Sequence, residues 1–165
     1  RWSPPAAETF APDAVVTALK DDSVPFRVLP LGVYRDTYLM TQGIRSALGY
    51  HGNEVHRYDD LMGGKNLWQN AGNRNLWHLL AVKYVVVPQK VEVEGLTLVR
   101  PEALPTNDHA SAFLYRFEQA SPFAYLVREA LKVPDQQTVP TLMDPRFDPR
   151  RLLLVPLGLP SNPSR

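Results

Sequence analysis

The first half of the chain alternates between helical and extended patterns of apolar residues. Apolar side chains within residues 12–22 recur with helical spacing, which predicts one short helix. Residues 26–31 form an apolar run that Gly32 ends, and such a run predicts a strand. Since proline has no N–H to donate, Pro30 restricts this strand to an end or to an edge of a sheet.

A second helix and strand follow in the middle of the chain. The segment 73–75 carries two asparagines that can cap a helix, and Trp77 belongs to the apolar stripe of that helix. Residues 83–87 are then continuously apolar and β-branched until Pro88 ends the run. A strand that is apolar on both faces is typical of the centre of a sheet, and a helix directly before it favours a parallel neighbour.

The second half of the chain is richer in strand patterns. Strands are predicted at residues 96–99, 113–117, 124–127 and 151–155, and a short helix, disturbed by Pro140, at residues 135–142. The close succession of the first three strands indicates antiparallel hairpins. The predicted fold is therefore α/β, with a mixed sheet of about 5–7 strands. Its central part is parallel and flanked by short helices, and its second half is antiparallel.

Composition and charge narrow the class of protein. The 165 residues are 44% hydrophobic and 21% charged, which predicts one soluble domain over residues 1–157 and a Pro- and Ser-rich linker over 158–165. A net charge of +1 gives no reason to expect nucleic acid as a partner. No apolar run is long enough to cross a bilayer, and the N-terminus has neither an initiator Met nor a signal-peptide core, so we expect a fragment of a larger protein.

A polar stretch at residues 43–60 concentrates the side chains that could carry chemistry. His51, Glu54, His56 and Asp59 are of the types that bind zinc or a similar ion, but their spacing does not match the helical H-E-x-x-H pattern. We therefore expect a hydrogen-bonded loop rim with no metal and no cofactor. At most one of the adjacent carboxylates Asp59 and Asp60 is expected to face a pocket, since neighbouring residues of a helix point about 100° apart.

Known catalytic signatures are missing from the sequence. There is no G-x-S-x-G element, and Gly63-Gly64-Lys65 lacks the remaining residues of a phosphate-binding loop, so it is interpreted as a helix C-cap. Asp148 and the prolines at 145 and 149 space the basic cluster formed by Arg146, Arg150 and Arg151, which is typical of a solvated turn. We expect no catalytic residues in this chain.

One tryptophan has the surroundings of a carbohydrate-binding residue. Trp68 lies among the amides Asn66, Gln69, Asn70 and Asn73, and a flat ring with amides can cover a sugar face and bind its hydroxyls. Trp77, in contrast, is predicted to belong to the core.

Four segments together resemble a family of bacterial membrane proteins. In chain order they are GIRSALGYHGNEVHRYDDLMGG, LLAVKYVVVPQ, FLYRFEQASPFAYLV and DPRFDPRRLLLV. They resemble the C-terminal extracytoplasmic domain of YfhO-like polytopic membrane proteins, which are glycosyltransferase-like. The chain departs from the family pattern at Phe123, where a basic residue is expected.

The resemblance implies a non-catalytic domain that shapes or covers the site for a lipid-linked sugar or glycan acceptor. The domain would lie on the extracytoplasmic side of a bacterial membrane, tethered by transmembrane segments absent from this fragment. Its partners would be the transmembrane part of the same polypeptide and a glycan or lipid-linked sugar. The predicted ligand-binding residues are Tyr50, His51, Asn53, Glu54, His56, Asp59 and Trp68.

Two other functions stay open at this point. The chain could be a free-standing hydrolase or a metal-dependent enzyme that uses His51, Glu54, His56 and Asp59. It could also be a protein-interaction module in envelope assembly, which would present an exposed apolar patch instead of a polar cleft.

Overall fold

A computed structural model describes residues 10–34, 37–48, 55–64 and 67–159 of the chain. The helices within these ranges are α1 (Ala14–Lys20), α2 (Tyr38–Thr41), α3 (His56–Met62), α4 (Arg74–Leu79) and α5 (Asp135–Met143). The strands are β1 (Arg27–Pro30), β2 (Val82–Val87), β3 (Leu96–Leu98), β4 (Leu104–Pro105), β5 (Ser111–Phe117), β6 (Glu129–Val133) and β7 (Leu152–Pro156). The fold is mixed α/β, as the sequence predicts.

Contacts between Cα atoms group the chain into two compact units. The first unit lies within Arg1–Gly52 and Leu80–Phe123, and the second within Asn53–Leu79 and Ala124–Arg165. The proposed single domain over residues 1–157 stays a prediction. Most of the predicted linker, from residue 160 onwards, lies outside the described residues.

The first unit is built on one mixed sheet. Its strand order is β1-β2-β5-β3, and β4 pairs with β5 as well. β1 is parallel to β2, whereas β3, β4 and β2 are all antiparallel to β5. Val82, Val85 and Val86 of β2 are buried, which confirms that the β-branched run forms a central strand with one parallel neighbour.

Strand β1 lies at an edge of the sheet and ends at Pro30, as the proline predicts. Its outer side is covered by a short segment of chain: the N–H of Val28 donates to the carbonyl of Arg45 at 2.9 Å, and the N–H of Ala47 donates to the carbonyl of Val28 at 2.7 Å. This bridge pairs main-chain groups of the edge strand that would otherwise remain open to water or to another chain.

Helix α1 covers the sheet of the first unit. Asp13 caps its N-terminus by accepting a hydrogen bond from the N–H of Val16 at 2.8 Å, as expected for an N-cap aspartate. The buried face of α1 consists of Val15, Val16 and Leu19, which belong to the same core cluster as Val86 and other residues of the sheet. Burial of each such side chain contributes about 1.5–3 kcal/mol to folding.

The second unit contains a parallel strand pair, and one strand prediction for this region is wrong. Residues 124–128 form no strand, and Leu126 is 96% exposed. Pairing begins instead at Glu129, which lies opposite Leu152 of β7. The apolar residues at 124–127 have local strand propensity, but only a partner strand can satisfy their main-chain groups, and that partner lies alongside β6.

Helix α5 forms in spite of Pro140 in its interior. Side-chain amides of two asparagines at the start of α4 donate hydrogen bonds to the C-terminal end of α5. The Nδ2 group of Asn75 donates to the carbonyls of Leu142 and Asp144 at 3.0 and 2.9 Å. The Nδ2 group of Asn73 donates to the carbonyl of Met143 at 3.0 Å. The last carbonyls of a helix have no donor within the helix, so these amides supply the missing partners.

His78 of α4 is buried in the second unit, and its burial makes the stability of the protein depend on pH. Only 4% of His78 is exposed, and burial, together with the charge of Arg150, lowers the pKa of its imidazole below the ordinary value of 6.5. The unfolded chain therefore takes up this proton first as pH falls. The stability linked to His78 is complete above about pH 6.5 and is lost as pH falls towards its lower folded pKa.

We expect the free energy of unfolding to decrease between pH 7.5 and pH 5.5, with His78 contributing at most about 1.4 kcal/mol per pH unit. Urea unfolding at both pH values measures this decrease, and the variant His78→Gln should show a smaller one. An equal decrease in the variant would show that the pH dependence comes from other groups.

Candidate functional site

The polar stretch that the sequence singles out leads into helix α3, and a glycine fixes where that helix stops. Gly63 has a φ angle of 89°, and a Cβ atom there would lie 2.8 Å from the main-chain nitrogen of Asn70. Only glycine fits such a position without strain. The predicted C-cap is thus confirmed, and the main-chain N–H of Asn70 donates to the carbonyl of Met62 at 3.0 Å.

A groove of about 420 Å³ lies between α3 and α5 in the second unit. Its lining combines charged and hydroxyl groups with aliphatic side chains. The polar residues are His56, Arg57, Asp60, Asp135 and Thr138, and the aliphatic ones are Leu61, Leu79, Val139 and Leu142. Most of the aliphatic residues are partly buried, whereas His56 and the charged residues are exposed, so the groove has an aliphatic floor and a polar rim.

Two contacts between polar side chains shape the rim. The Nη1 and Nη2 atoms of Arg57 each lie 3.1 Å from a carboxylate oxygen of Asp135, in a bidentate arrangement across the groove. The Nε2 atom of His56 lies 3.7 Å from Oδ2 of Asp60 on the same helix. The side chains of Arg57 and Asp135 are 79% and 72% exposed, so water screens their attraction and the pair opens at little cost.

The structure brings one predicted ligand-binding residue into the groove. His56 lies on the rim, whereas Asp59 and Trp68 do not line the groove. Both are partly buried, and the carbonyl of Asp59 accepts a hydrogen bond from the N–H of Gly64 at 2.8 Å. The other predicted residues, Tyr50, His51, Asn53 and Glu54, lie outside the described residues.

Two of the amides near Trp68 serve the fold. The Nδ2 group of Asn70 donates to the carbonyl of Leu61 at 2.9 Å, and that of Asn73 donates to the end of α5. These donors are therefore occupied by main-chain carbonyls. Trp77 is 4% exposed, which confirms its assignment to the core.

Sequence reasoning missed three rim residues, Arg57, Asp135 and Thr138, and left open which of Asp59 and Asp60 faces a pocket. Of the adjacent pair Asp59 and Asp60, it is Asp60 that lines the groove. The i, i+4 spacing of His56 and Asp60 could have indicated this, because residues at that spacing share one face of a helix. No local pattern links Arg57 to Asp135, which lies 78 positions further along the chain.

Possible metal ligands do not cluster in the described part of the chain. Within it, no three side chains of the His, Asp or Glu type lie close enough together to hold an ion. His56 and Asp59 belong to the hypothetical metal-binding set, but its other members, His51 and Glu54, lie outside the described residues.

Two of the three arginines in the basic cluster of the second unit pair with a nearby aspartate. Arg146 bonds the carboxylate of Asp144 at 2.7 Å, and Arg150 bonds that of Asp148 at 2.9 Å. The Arg146 guanidinium lowers the pKa of Asp144 to about 2, so this pair keeps its charges across the physiological pH range. These contacts agree with the interpretation of the cluster as a solvated turn.

Comparison of the chain with protein-family models, with curated proteins and with solved structures gave no match. The resemblance to YfhO-like proteins thus stays a prediction. Among the helices of the described ranges, none combines the length and the apolar character that a membrane span requires.

Proposed function

We propose that the chain is a non-catalytic glycan-binding domain of a multi-spanning, glycosyltransferase-like membrane protein, on the extracytoplasmic side of a bacterial membrane. The groove between α3 and α5 would hold part of a lipid-linked sugar or of its glycan acceptor. The observation that carries this proposal is the combination of a charged, hydroxyl-bearing rim with an aliphatic floor in one groove.

The chemistry of the rim suits a sugar. The carboxylates of Asp60 and Asp135 accept hydrogen bonds from hydroxyls, Arg57 donates them, and Thr138 can do either. A sugar ring also has an apolar face of C–H groups, which can pack on the aliphatic floor. The volume of about 420 Å³ falls in the range of about 300–1,000 Å³ typical of small-molecule sites.

The proposed mechanism is positional. Because the ion pair of Arg57 and Asp135 is exposed, exchanging it for hydrogen bonds to a sugar costs little. Each hydrogen bond formed in exchange for water contributes only about 0.5–1.5 kcal/mol, so we expect a dissociation constant of about 1 mM. Weak binding of this kind fits a surface that orients a glycan for chemistry carried out by another part of the protein.

The proposal predicts that rim carboxylates determine saccharide affinity. Isothermal calorimetry with a panel of neutral mono- and disaccharides should find at least one that binds the wild-type chain. Removing one charged acceptor with Asp60→Asn should weaken that binding by up to about tenfold, because the loss of about 1.4 kcal/mol corresponds to a tenfold change in affinity. Asp135→Asn should have a similar effect.

The matched control is Glu118→Gln in the first unit. Glu118 forms an exposed ion pair with Arg116 at 3.4 Å, so its replacement removes the same kind of charge without touching the groove. Saccharide affinity should be unchanged in this variant. If Asp60→Asn left saccharide binding intact, the proposed role of the groove would be refuted. The same conclusion would follow if no saccharide of the panel bound the wild-type chain. A stoichiometric metal ion retained through dialysis would favour the metal-dependent enzyme instead.

A further inference from the structure

Two arginines of the first unit place their side chains beside one aromatic ring. Arg27 begins β1, and Arg45 lies in the segment that bridges the outer side of that strand. Their guanidinium carbons lie 5.0 and 5.4 Å from the centroid of the Phe123 ring. Both distances are within the range of about 6 Å for cation–π attraction, so the ring stabilises two like charges near each other.

Main-chain hydrogen bonds hold the side chain of Arg27 and the backbone of Arg45. The Nη1 atom of Arg27 donates to the carbonyl of Leu80 at 2.9 Å. The carbonyl of Arg45 accepts the N–H of Val28 at 2.9 Å, which fixes the backbone from which its side chain extends. Arg45 and Phe123 are exposed, so this arrangement is preorganised and open to solvent.

Among the residues that the structure describes, no acidic side chain pairs with either of these two positive charges. Over residues 10–34, 37–48, 55–64 and 67–159, neither Arg27 nor Arg45 takes part in an ion pair, whereas Arg57, Arg146 and Arg150 each bond a carboxylate. An aromatic ring attracts cations through its quadrupole but carries no net charge. The two arginines therefore leave a positive potential that an anion can neutralise.

A cavity of about 250 Å³ lies beside one of the two arginines, Arg45. Arg45 lines the cavity together with Lys20 and Gln42. The Nζ atom of Lys20 lies 3.5 Å from Oε1 of Gln42. Asp22 also lines the cavity, but its carboxylate is bonded to the ammonium group of Lys83. The groups that remain for a ligand are thus cationic or neutral.

We propose that Arg27, Arg45 and Lys20 bind a phosphate group, either of a soluble phosphorylated molecule or of a lipid headgroup. The planar guanidinium fork of arginine matches two phosphate oxygens, and the lysine adds a point charge. The adjoining cavity has room for part of the group esterified to the phosphate. This site shares no residue with the groove between α3 and α5, so it does not depend on the proposed sugar binding.

The test uses inorganic pyrophosphate at constant ionic strength, with binding followed in the whole chain by ¹H–¹⁵N NMR. Saturable shifts are expected at the amides around Arg27, Arg45 and Phe123. Arg45→Gln should weaken binding by about tenfold, since it removes charge-assisted hydrogen bonds. Arg45→Lys keeps the charge but loses the guanidinium fork, so its affinity for pyrophosphate should lie between those of the wild type and Arg45→Gln. Arg100→Gln is the matched control, because Arg100 is an exposed arginine of the same unit, and its affinity should stay within about twofold of wild type.

Vesicles separate the two sources of phosphate. One outcome is that the wild-type chain co-sediments with phosphatidylglycerol vesicles but not with phosphatidylcholine vesicles, and that Arg45→Gln abolishes this co-sedimentation. That outcome would assign the site to a lipid headgroup. Pyrophosphate binding without vesicle binding would assign it to a soluble phosphorylated molecule. Equal losses in Arg45→Gln and Arg100→Gln would indicate a general charge effect and overturn the proposal, as would the absence of saturable binding to both probes.

Discussion

Replacing Trp77 by alanine is expected to lower the free energy of unfolding by about 3–5 kcal/mol, the loss typical of removing a buried aromatic side chain. Trp77 is 4% exposed, and the guanidinium carbon of Arg74 lies 3.9 Å from the centroid of its ring system. Its Nε1–H donates to the carbonyl of Ala71 at 2.6 Å. The substitution would leave a cavity, remove this stacking and leave the carbonyl of Ala71 without its hydrogen-bond donor. The second unit should therefore be strongly destabilised.

Urea unfolding followed by far-UV circular dichroism measures this loss. Trp77→Phe retains a ring but not the N–H group, so its free energy of unfolding should lie between those of the wild type and Trp77→Ala. Leu79→Ala is a control on the same helix: Leu79 is 41% exposed, and its truncation should cost only about 1 kcal/mol. A loss of that size for Trp77→Ala would mean that Trp77 does not support the packing of α4.

The second large effect is expected for Asp13→Ala, at about 2–4 kcal/mol. The Oδ1 atom of Asp13 caps α1, while Oδ2 accepts hydrogen bonds from the hydroxyl of Tyr34 at 2.6 Å and from the N–H of Asn107 at 3.1 Å. Loss of the cap costs about 1 kcal/mol, and a buried donor left without its acceptor costs about 1–3 kcal/mol more. Burial and the Asp13 carboxylate raise the pKa of Tyr34 far above its ordinary value, so its hydroxyl remains a donor that needs this acceptor.

Asp21→Ala at the other end of α1 serves as the control for Asp13→Ala. Asp21 is exposed and lies at the C-cap, where a negative charge is unfavourable to the helix dipole, so its removal should change stability by less than about 0.5 kcal/mol. Asp13→Asn keeps an oxygen for the cap and should recover part of the loss. Equal stabilities of Asp13→Ala and Asp21→Ala would exclude a role for Asp13 in connecting α1 to Tyr34 and Asn107.

Elements governed by local chemistry could be predicted from the sequence. The short helix within residues 12–22, the edge position of β1 enforced by Pro30 and the central strand formed by Val82–Val87 all follow from the residues themselves. The strand expected at residues 124–127 fails because strand formation depends on a partner, and β6 finds that partner only at β7. A parallel pairing between distant segments leaves no signal in local alternation.

The same distinction holds for the candidate sites. His56 could be singled out from the polar stretch, but the groove also needs Asp135, which only the packing of α5 brings beside Arg57. Likewise, nothing in the sequence places Arg27 and Arg45 beside Phe123. Local patterns thus identify single polar residues, whereas a site depends on contacts between segments far apart in the chain.

The most direct measurement of the proposed function is residue-resolved NMR of the ¹⁵N-labelled chain, titrated with the saccharide that binds best in calorimetry. We predict that the amide shifts at saturation concentrate in residues 56–61 and 135–142, which carry most of the groove lining. Shifts confined to the first unit, or spread evenly over exposed amides of both units, would contradict the assignment of the glycan to this groove.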